Sequence, residues 1–337
     1  MESPTFFEAL AEASGLFASA HASALIDGAH EVGLISRLAV PQPSEDLAAG
    51  TGLAEERVTA VCRALAAFDV VRGEADGTWR LSPAWATFVR PGAVIALPEI
   101  LGLARIEGKL YRELGRGGTY WDLSTEDRLA YARGVSPNPF SEDLVAAFRA
   151  AAELDPDAGA MQAGADYLEL GCGVAGRMLT TLQAFPMLRG VGVELSADLV
   201  AEARRRAQQL RLADRFEVVE ADAGEFYRPA GFDFGFWSQF FFPSGARAAA
   251  LAALFRALRP GGVAWAPLVT DFEANAADPD RAEARSYVLR RVLLESWGVP
   301  ERTFPDLKSE FESAGFVDVT RTGGGSQGPV RLRAVRP

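Results

Sequence analysis

The chain has 337 residues, of which 49% are hydrophobic and 23% are charged, and its formal net charge is -11. This composition is typical of a globular protein that is long enough for two domains. An acidic surface repels phosphate groups, so we expect neither nucleic acid nor an anionic membrane surface as a partner. The two cysteines, Cys62 and Cys172, lie far apart without metal or disulfide spacing, which favours a reducing cytoplasm.

The N-terminus has no basic segment followed by an apolar core, and no uninterrupted apolar run is long enough to span a bilayer. We therefore expect a cytoplasmic protein without a signal peptide. The only histidines, His21 and His30, lie in the first tenth of the chain. A histidine-based triad or multi-histidine metal centre in the C-terminal part is therefore excluded unless the N-terminal segment folds over it, and we predict no metal site.

The first part of the chain predicts helices followed by a hairpin. Apolar residues recur at helical spacing over residues 5–40, and the prolines of "PQPS" end this pattern. A later amphipathic helix is predicted to open at Thr51 or Gly52. The segment "VVRGEADGTWRLSP" indicates two short strands around the turn Asp76-Gly77. Together these elements predict a winged helix, and because the region is not notably basic, DNA binding is not favoured.

Residues 93–160 predict mainly helical, irregular structure with many aromatic residues. From Asp166 onward the pattern alternates between strand and helix, which predicts an α/β fold with a doubly wound parallel sheet. Two more strands around a glycine-rich turn are predicted in "GFVDVTRTGGGSQGPVRLRAVRP". The predicted strands are "DYLEL", "GVGVEL", "RFEVVEAD", "FDFGFWS" and "VAWAPLV", and the predicted helices cover 174–185, 197–211, 246–258 and 282–297.

The segment "YLELGCGVAGRM" satisfies the dinucleotide fingerprint G-x-G-x-x-G. A glycine turn between a strand and a helix serves NAD and S-adenosylmethionine (SAM) alike. Glu169, two residues before the first glycine, favours SAM, because a carboxylate repels pyrophosphate but attracts sulfonium and ammonium groups. Glu194 and Asp222 at the ends of the next two strands, and "LRPGG" before the fifth, agree with this interpretation.

The ordered set "YLELGCGVAG…GVGVELS…EADAGEF…FDFGFWS…LRPGG" resembles class I SAM-dependent methyltransferases. The segment from "ALIDGAHEVGLISRLA" to "GTWRLSP" is similar to the winged-helix dimerisation domain of small-molecule O-methyltransferases, and "GVPERTFPDLKSEFESAGF" is similar to a late segment of that family. The resemblance implies a dimerisation domain over residues 1–98 and a Rossmann-like domain with an antiparallel last strand over residues 99–337. It also implies a homodimer, and an acceptor pocket to which residues 99–160 contribute.

Position by position, the resemblance implies a SAM site at the strand ends. Glu194 would accept both ribose hydroxyls and Asp222 the adenine amino group, while the glycine loop and Ser238 would lie beside the methionine moiety. Alternatively, the acids only cap helices and the glycines only form a tight turn. The implied cofactor-binding residues are Glu169, Gly171, Gly173, Glu194, Leu195, Asp222, Ala223 and Ser238.

The catalytic positions depart from the family pattern. Phe240 stands where O-methyltransferases have a histidine after the fourth strand, and Leu268 where they often have an acidic residue. In the similar α-keto acid C-methyltransferases, a metal-ligating histidine takes the place of Gln239. We expect transfer to an already acidic acceptor, transfer to carbon or nitrogen, or other chemistry with SAM bound. Gln239 is the catalytic candidate, as an amide that orients a carbonyl or carboxylate, although an equally good alternative is a structural role.

The resemblance places Tyr111, Phe240, Glu295 and Trp297 in the acceptor pocket, although ordinary packing would also explain them. His21 would reach the site of the partner subunit if N-terminal helices swap across a dimer, whereas His30 is interpreted as structural. The leading hypothesis is a homodimeric, SAM-dependent methyltransferase that acts on a small-molecule acceptor of specialised metabolism, such as antibiotic biosynthesis. The alternatives are a SAM-binding enzyme with non-methylation chemistry, an NAD(P)-dependent oxidoreductase and a winged-helix regulator.

Overall fold

The computed structural model describes residues 5–116, 119–268, 282–323 and 330–337. The chain divides into two compact units, Met1–Leu97 and Pro98–Pro337.

The first unit consists of helices and one small hairpin. Thr5 begins the first helix with a capping box, because its hydroxyl accepts the Glu8 amide while the Glu8 carboxylate accepts the Thr5 amide. The hairpin strands pair antiparallel around Asp76-Gly77, as the sequence predicts. The elements are α1 (Phe6–Glu31), α2 (Leu34–Arg37), α3 (Ser44–Thr51), α4 (Glu55–Ala66), β1 (Val71–Gly73), β2 (Trp79–Leu81) and α5 (Pro83–Val89).

The prediction that Thr51 or Gly52 opens a helix is wrong. Thr51 is the last residue of α3, and Gly52 follows it in the left-handed conformation, with φ at 73° and its amide bonded to the Ala48 carbonyl. Glycine is favoured after a helix because this conformation is strained for other residues. The next helix, α4, begins at Glu55.

Contrary to expectation, α1 is long and apolar enough to cross a membrane by length and composition alone. Its large apolar side chains are spread among alanines, so it contains no long uninterrupted run. A single helix of this kind is weak support for a membrane span, and the cytoplasmic location and the lack of a membrane partner stay predictions. The large apolar residues of α1 that are exposed are Phe6, Phe7, Leu10, Leu16 and Phe17.

The second unit is built on one seven-stranded sheet. Its strands are β3 (Asp166–Leu170), β4 (Arg189–Glu194), β5 (Phe216–Glu220), β6 (Phe232–Trp237), β7 (Leu258–Pro267), β8 (Val317–Thr322) and β9 (Arg331–Val335). The strand order is β5-β4-β3-β6-β7-β9-β8, with β9 antiparallel to both of its neighbours and the pairs among β3 to β7 parallel. The predicted doubly wound sheet with an antiparallel last strand is confirmed.

Helices pack on both faces of this sheet. Met178 and Leu182 belong to the apolar cluster on one face, and Leu254 and Phe311 to the cluster on the other. α6 and α13 instead pack with each other in a separate apolar cluster. The described helices of this part of the chain are α6 (Leu97–Arg112), α7 (Thr125–Gly134), α8 (Glu142–Ala152), α9 (Ala158–Ala163), α10 (Gly176–Ala184), α11 (Ala197–Gln209), α12 (Ser244–Ala257), α13 (Ala282–Ser296) and α14 (Phe304–Ser313).

Some boundaries differ from the predicted ones. β7 begins at Leu258, before the Pro-Gly-Gly, because Leu258 already pairs with Phe232 ahead of an irregularity in the ladder. α10 begins only at Gly176, because Ala175 adopts a left-handed conformation with φ at 57°. The glycine-rich turn predicted between β8 and β9 lies largely outside the described residues.

The strand order reverses at β3, which pairs with β4 on one side and β6 on the other. Ligands of doubly wound sheets bind at such a point, outside the carboxyl ends of the strands. Gly171 N donates to Val193 O at 2.9 Å, and Ser238 N donates to Leu170 O at 3.1 Å. Both neighbouring strands therefore hold the start of the glycine loop.

Candidate active site

A cavity of about 440 Å³ lies at these strand ends. Its lining residues form two groups, according to the elements that carry them. The first group, which we call the loop side, contains Glu169, Gly171, Cys172, Gly173, Glu194, Leu195, Asp222, Ala223 and Ser238, with Arg177 from α10. The second group, which we call the aromatic side, contains Tyr120, Trp121, Tyr131, Val135, Pro137, Phe240, Phe241, Phe242, Pro243, Pro267, Trp297 and Val299.

All eight predicted cofactor-binding residues line this one cavity, on its loop side. They come from the ends of four strands that are well separated in sequence. Parallel strands bring their carboxyl ends to the same edge of a sheet, which explains how the residues meet. The role of each as a cofactor ligand stays a prediction.

The glycine loop packs too tightly for larger residues. Gly171 has φ at +71°, and a Cβ there would lie 2.8 Å from the Phe242 ring. A Cβ at Gly176 would lie 2.2 Å from the carbonyl oxygen of Pro137. The glycines therefore serve a left-handed turn and a close approach of two backbone segments.

Glu194 is only 8% exposed and is held by two backbone amides. Its Oε2 accepts from Gly173 N at 2.9 Å, and its Oε1 accepts from Ser196 N at 3.0 Å. Burial raises the pKa of Glu194 above its ordinary value, while these amide hydrogen bonds oppose the rise. Each carboxylate oxygen can accept a further hydrogen bond, so the side chain suits a pair of neighbouring hydroxyls.

Glu169 lies deeper, at 2% exposure. Burial raises its pKa to about 8, opposed by the charge of Arg177 and by the Met178 amide. Within the described part of the chain, its Oε2 has no hydrogen-bond partner. A buried acid of this kind is stabilised by a positively charged group nearby, because the charge compensates the lost hydration.

The other loop-side residues differ in exposure. Asp222 is exposed, and its Oδ1 accepts from Gly224 N at 2.7 Å, which closes a turn after β5. No helix begins directly after Asp222 in the described chain, so this bond is not the helix cap considered as the alternative, and it engages only one carboxylate oxygen. Ala223 is buried beside Asp222, whereas Leu195 is 53% exposed.

The aromatic side is built around a cluster of three rings. The ring centroids of Tyr120 and Tyr131 are 5.8 Å apart, and each lies 5.5 Å from that of Trp297. Phe240 and Phe241 add apolar surface from the short turn after β6. The wall therefore suits a flat, apolar molecule.

Three predicted residues are not among those lining the cavity. Gln239 is 2% exposed, and its amide donates to Pro267 O at 3.1 Å and accepts from Arg247 at 3.2 Å. Tyr111 packs in an apolar cluster around α6, and Glu295 is exposed on α13. These hydrogen bonds are directed to the protein itself, which favours the structural alternative for Gln239, and its catalytic role stays a prediction.

Several lining residues were missed by the sequence analysis. Tyr120, Trp121 and Tyr131 lie in the aromatic-rich segment, but no periodicity distinguishes them from Tyr111. Arg177 follows the last loop glycine directly, and its guanidinium lies 3.9 Å over the Phe236 ring. The position of Arg177 in the first helical turn after the glycine loop could have indicated that its side chain lines the cavity.

The histidine hypotheses stay predictions. His21 lies exposed on α1 in the first unit. In the described ranges, no group of three or more His, Cys, Asp or Glu side chains is placed to hold a metal ion.

The methyltransferase interpretation agrees with a protein family. Residues 168–262 match the family described as "Methyltransferase domain". The chain is also 32% identical over 166 residues to the S-adenosyl-L-methionine-dependent Diels-Alderase iccD of Talaromyces variabilis. The matched region covers 48% of this chain and 56% of that protein. The chain spans about half the length of the curated relatives that it matches.

Solved structures share the fold over nearly the whole chain. The mitomycin 7-O-methyltransferase MmcR has a TM-score of 0.69 at 21% identity, with 98% of both chains covered. Human N-acetylserotonin methyltransferase, solved in complex with SAM, has a TM-score of 0.71 at 15% identity, with 100% of this chain and 99% of that chain covered. The resemblance is thus confirmed: this chain carries a methyltransferase domain and has the fold of the class I SAM-dependent O-methyltransferases.

Proposed function

We propose that the protein binds SAM in this cavity and transfers a methyl group to a small, largely apolar acceptor of specialised metabolism. The observation that carries the proposal is Glu169, a buried carboxyl group beside the glycine loop, whose Oε2 has no partner among the described residues. A cationic ligand compensates this buried acid, whereas a pyrophosphate would be repelled by it. The loop-side residues therefore fit SAM better than NAD.

SAM supplies a methyl group on a positively charged sulfur. The protein's part is to hold the cofactor and to align the acceptor with it. Glu194, fixed by the Gly173 and Ser196 amides, would accept the ribose hydroxyls, and Asp222 with Ala223 would flank the adenine. Glu169 would face the charged methionine moiety and ionise more readily as that charge arrives.

The aromatic side would bind the acceptor and exclude water. Among its described lining residues none is a histidine, lysine, aspartate or glutamate. Burial raises the pKa of Tyr120 and that of Tyr131, so neither phenol is a base near neutral pH. We therefore propose that the acceptor is already acidic or nucleophilic, and that alignment supplies much of the rate acceleration.

We further propose that the protein works as a homodimer. The support is α1, which exposes Phe6, Phe7 and Phe17 at 72%, 78% and 60%. Exposed apolar side chains at this density favour a partner surface. Light scattering coupled to gel filtration tests this, and a monomeric mass at micromolar concentration would contradict it.

Calorimetry with SAM, S-adenosylhomocysteine (SAH) and NADH tests the cofactor. We expect heat from the first two and none from NADH. Methyl-labelled SAM with a panel of phenols, carboxylic acids and enolisable carbonyl compounds then tests transfer. Binding of NADH without binding of SAM or SAH would contradict the proposal.

A second candidate is a reaction other than methylation with SAM bound. Two observations favour it: the aromatic side offers no general base among its described residues, and the chain is 32% identical over 166 residues to a protein named as a SAM-dependent Diels-Alderase. Such a reaction would need a shaped apolar cavity and no proton transfer. The labelled methyl group distinguishes the two, because it enters the product only in methyl transfer.

A further inference from the structure

Arg128 on α7 joins the two sides of the cavity. Its Nε and Nη2 donate to Asp198 Oδ2 at 2.8 and 2.7 Å. Its Nη1 makes longer hydrogen bonds to the backbone oxygens of Trp121 and Leu123, at 3.5 and 3.4 Å. The side chains of Arg128 and Asp198 are only 16% and 15% exposed, so solvent screens this pair less than an exposed one.

Asp198, near the start of α11, is connected in turn to Glu194. Ser196 is the intermediate, because its hydroxyl donates to Asp198 Oδ1 and its amide donates to Glu194 Oε1 at 3.0 Å. Leu199 N also donates to Asp198 Oδ1, at 2.9 Å. A continuous series of hydrogen bonds therefore runs from Glu194 to Arg128.

The other end of this series is the turn Tyr120–Asp122, which carries two lining residues of the cavity. Tyr120 packs in the three-ring cluster and a capping box joins Thr119 to Asp122, but Trp121 between them is 52% exposed, so packing holds the turn at one side only. Tyr120 lies close enough to Glu194 and Asp198 for their charges to add to the effect of burial on its pKa. Arg128 therefore reaches the backbone of a segment that lies near the loop side.

We infer that Arg128 is a positioning residue, which holds the Tyr120–Asp122 turn against the loop side of the cavity through its ion pair with Asp198. The inference rests on the proposed SAM site. It assigns Arg128 a role in retaining the cofactor rather than in the transfer step. Loss of the pair should therefore act mainly on the dissociation rate, as most changes in a preformed site do.

Stopped-flow tryptophan fluorescence gives the dissociation rate of SAH, because Trp121 and Trp297 line the cavity. The variants are Arg128→Met, Asp198→Asn and the double variant, with Arg128→Lys as the conservative change. We expect each single variant to release SAH about tenfold faster, as the loss of a charged hydrogen bond implies. The double variant should be no faster than either single one, because both remove the same interaction.

Lys109→Met is the matched control. Lys109 on α6 pairs at 2.9 Å with Asp127, which precedes Arg128 on α7, and neither Lys109 nor Asp127 lines the cavity. This variant should release SAH at the wild-type rate, and Arg128→Lys should lie between wild type and Arg128→Met, because lysine keeps the charge but not the forked geometry. Thermal denaturation of each variant checks that it is folded.

Two results would overturn the inference while the proposed function stands. One is wild-type dissociation of SAH from Arg128→Met and Arg128→Lys. The other is an equal acceleration in Lys109→Met, which would show a general loosening of α7. Failure of the wild-type protein to bind SAH at all would instead reject the proposed function, and this inference with it.

Discussion

The amide of Gly173 donates to Oε2 of Glu194 at 2.9 Å, so the glycine loop after β3 and the tip of β4 hold each other. The same carboxylate accepts from Ser196 through its second oxygen. Two local sequence signals, a glycine turn and an acid at a strand end, thus form one hydrogen-bonded unit. This unit is the part of the cavity on which the proposed cofactor site depends most.

Glu194→Gln should weaken SAH binding about 100-fold. The NH2 group of glutamine faces one of the two backbone amides as a second donor, and one charge-assisted hydrogen bond to the ligand, worth about 1.5–3 kcal/mol, is lost, whereas the remaining oxygen still accepts. Calorimetry measures the affinity. Glu217→Gln is the control, because Glu217 lies on the neighbouring strand β5 and forms only an exposed ion pair with Arg228 in the loop that follows this strand. An unchanged affinity in Glu194→Gln would contradict the proposed ribose site.

Binding of SAM at about pH 7 should release a fraction of a proton. The pKa of Glu169 is raised to about 8 by burial, so the group is mainly protonated before a cation arrives and ionises in its presence. SAM affinity should therefore rise with pH between about 6 and 7.5. Calorimetry in buffers of different ionisation enthalpy measures the released protons.

Glu169→Gln should abolish most of this proton release, because its amide does not titrate. If Glu169→Gln released as many protons on SAM binding as the wild type, the proton would come from another group. Glu194, whose pKa is also raised by burial, would then be the next residue to test.

Glu169 also predicts how the stability of the ligand-free protein depends on pH. Its folded pKa of about 8 lies above the ordinary value of 4.5, so the folded state retains a proton that the unfolded chain loses. Its contribution to stability is complete below about pH 4.5 and is lost as the pH rises through about 8. Urea unfolding at about pH 5 and at about pH 8 measures the free energy of unfolding at each pH. Between these two pH values, this free energy should fall less in Glu169→Gln than in the wild type. Equal losses in the two proteins would contradict the prediction.

Gln239→Ala should lower the free energy of unfolding by about 1–3 kcal/mol, because it leaves buried polar partners unsatisfied. These partners are the Pro267 carbonyl and Arg247, which also pairs with Glu310 at 2.6 Å. Chemical denaturation measures the loss, and SAH affinity should stay unchanged. Glu295→Ala, at an exposed position, is the control with little expected effect.

A different outcome would support a catalytic role for Gln239. If Gln239→Ala kept wild-type stability and SAH affinity but lost methyl transfer, the catalytic assignment made from the sequence would be supported instead.

The aromatic side shows where prediction from the sequence ended. Tyr111 was assigned to the acceptor pocket and Tyr120 and Tyr131 were not, although all three lie in one aromatic-rich segment. Tyr111, Tyr120 and Tyr131 all belong to one apolar cluster with Trp297, which is more than 160 residues away in sequence from each of them. Of the three tyrosines, Tyr120 and Tyr131 contact Trp297 through their rings and line the cavity, whereas Tyr111 does not line it. Which aromatic residues of the segment reach the cavity depends on such distant partners, and no local spacing encodes it.

The sequence by itself determined the alternation of strands and helices, the glycine turn and the acids at the strand tips. These features are local, because apolar periodicity, left-handed turns and strand ends each depend on a few consecutive residues. Only the tertiary structure decided that Gln239 binds Arg247 and Pro267, that Oε2 of the buried Glu169 has no hydrogen-bond partner among the described residues, and that Arg128 reaches Asp198. Burial and pairing between distant segments arise from packing, which joins residues that no sequence spacing relates.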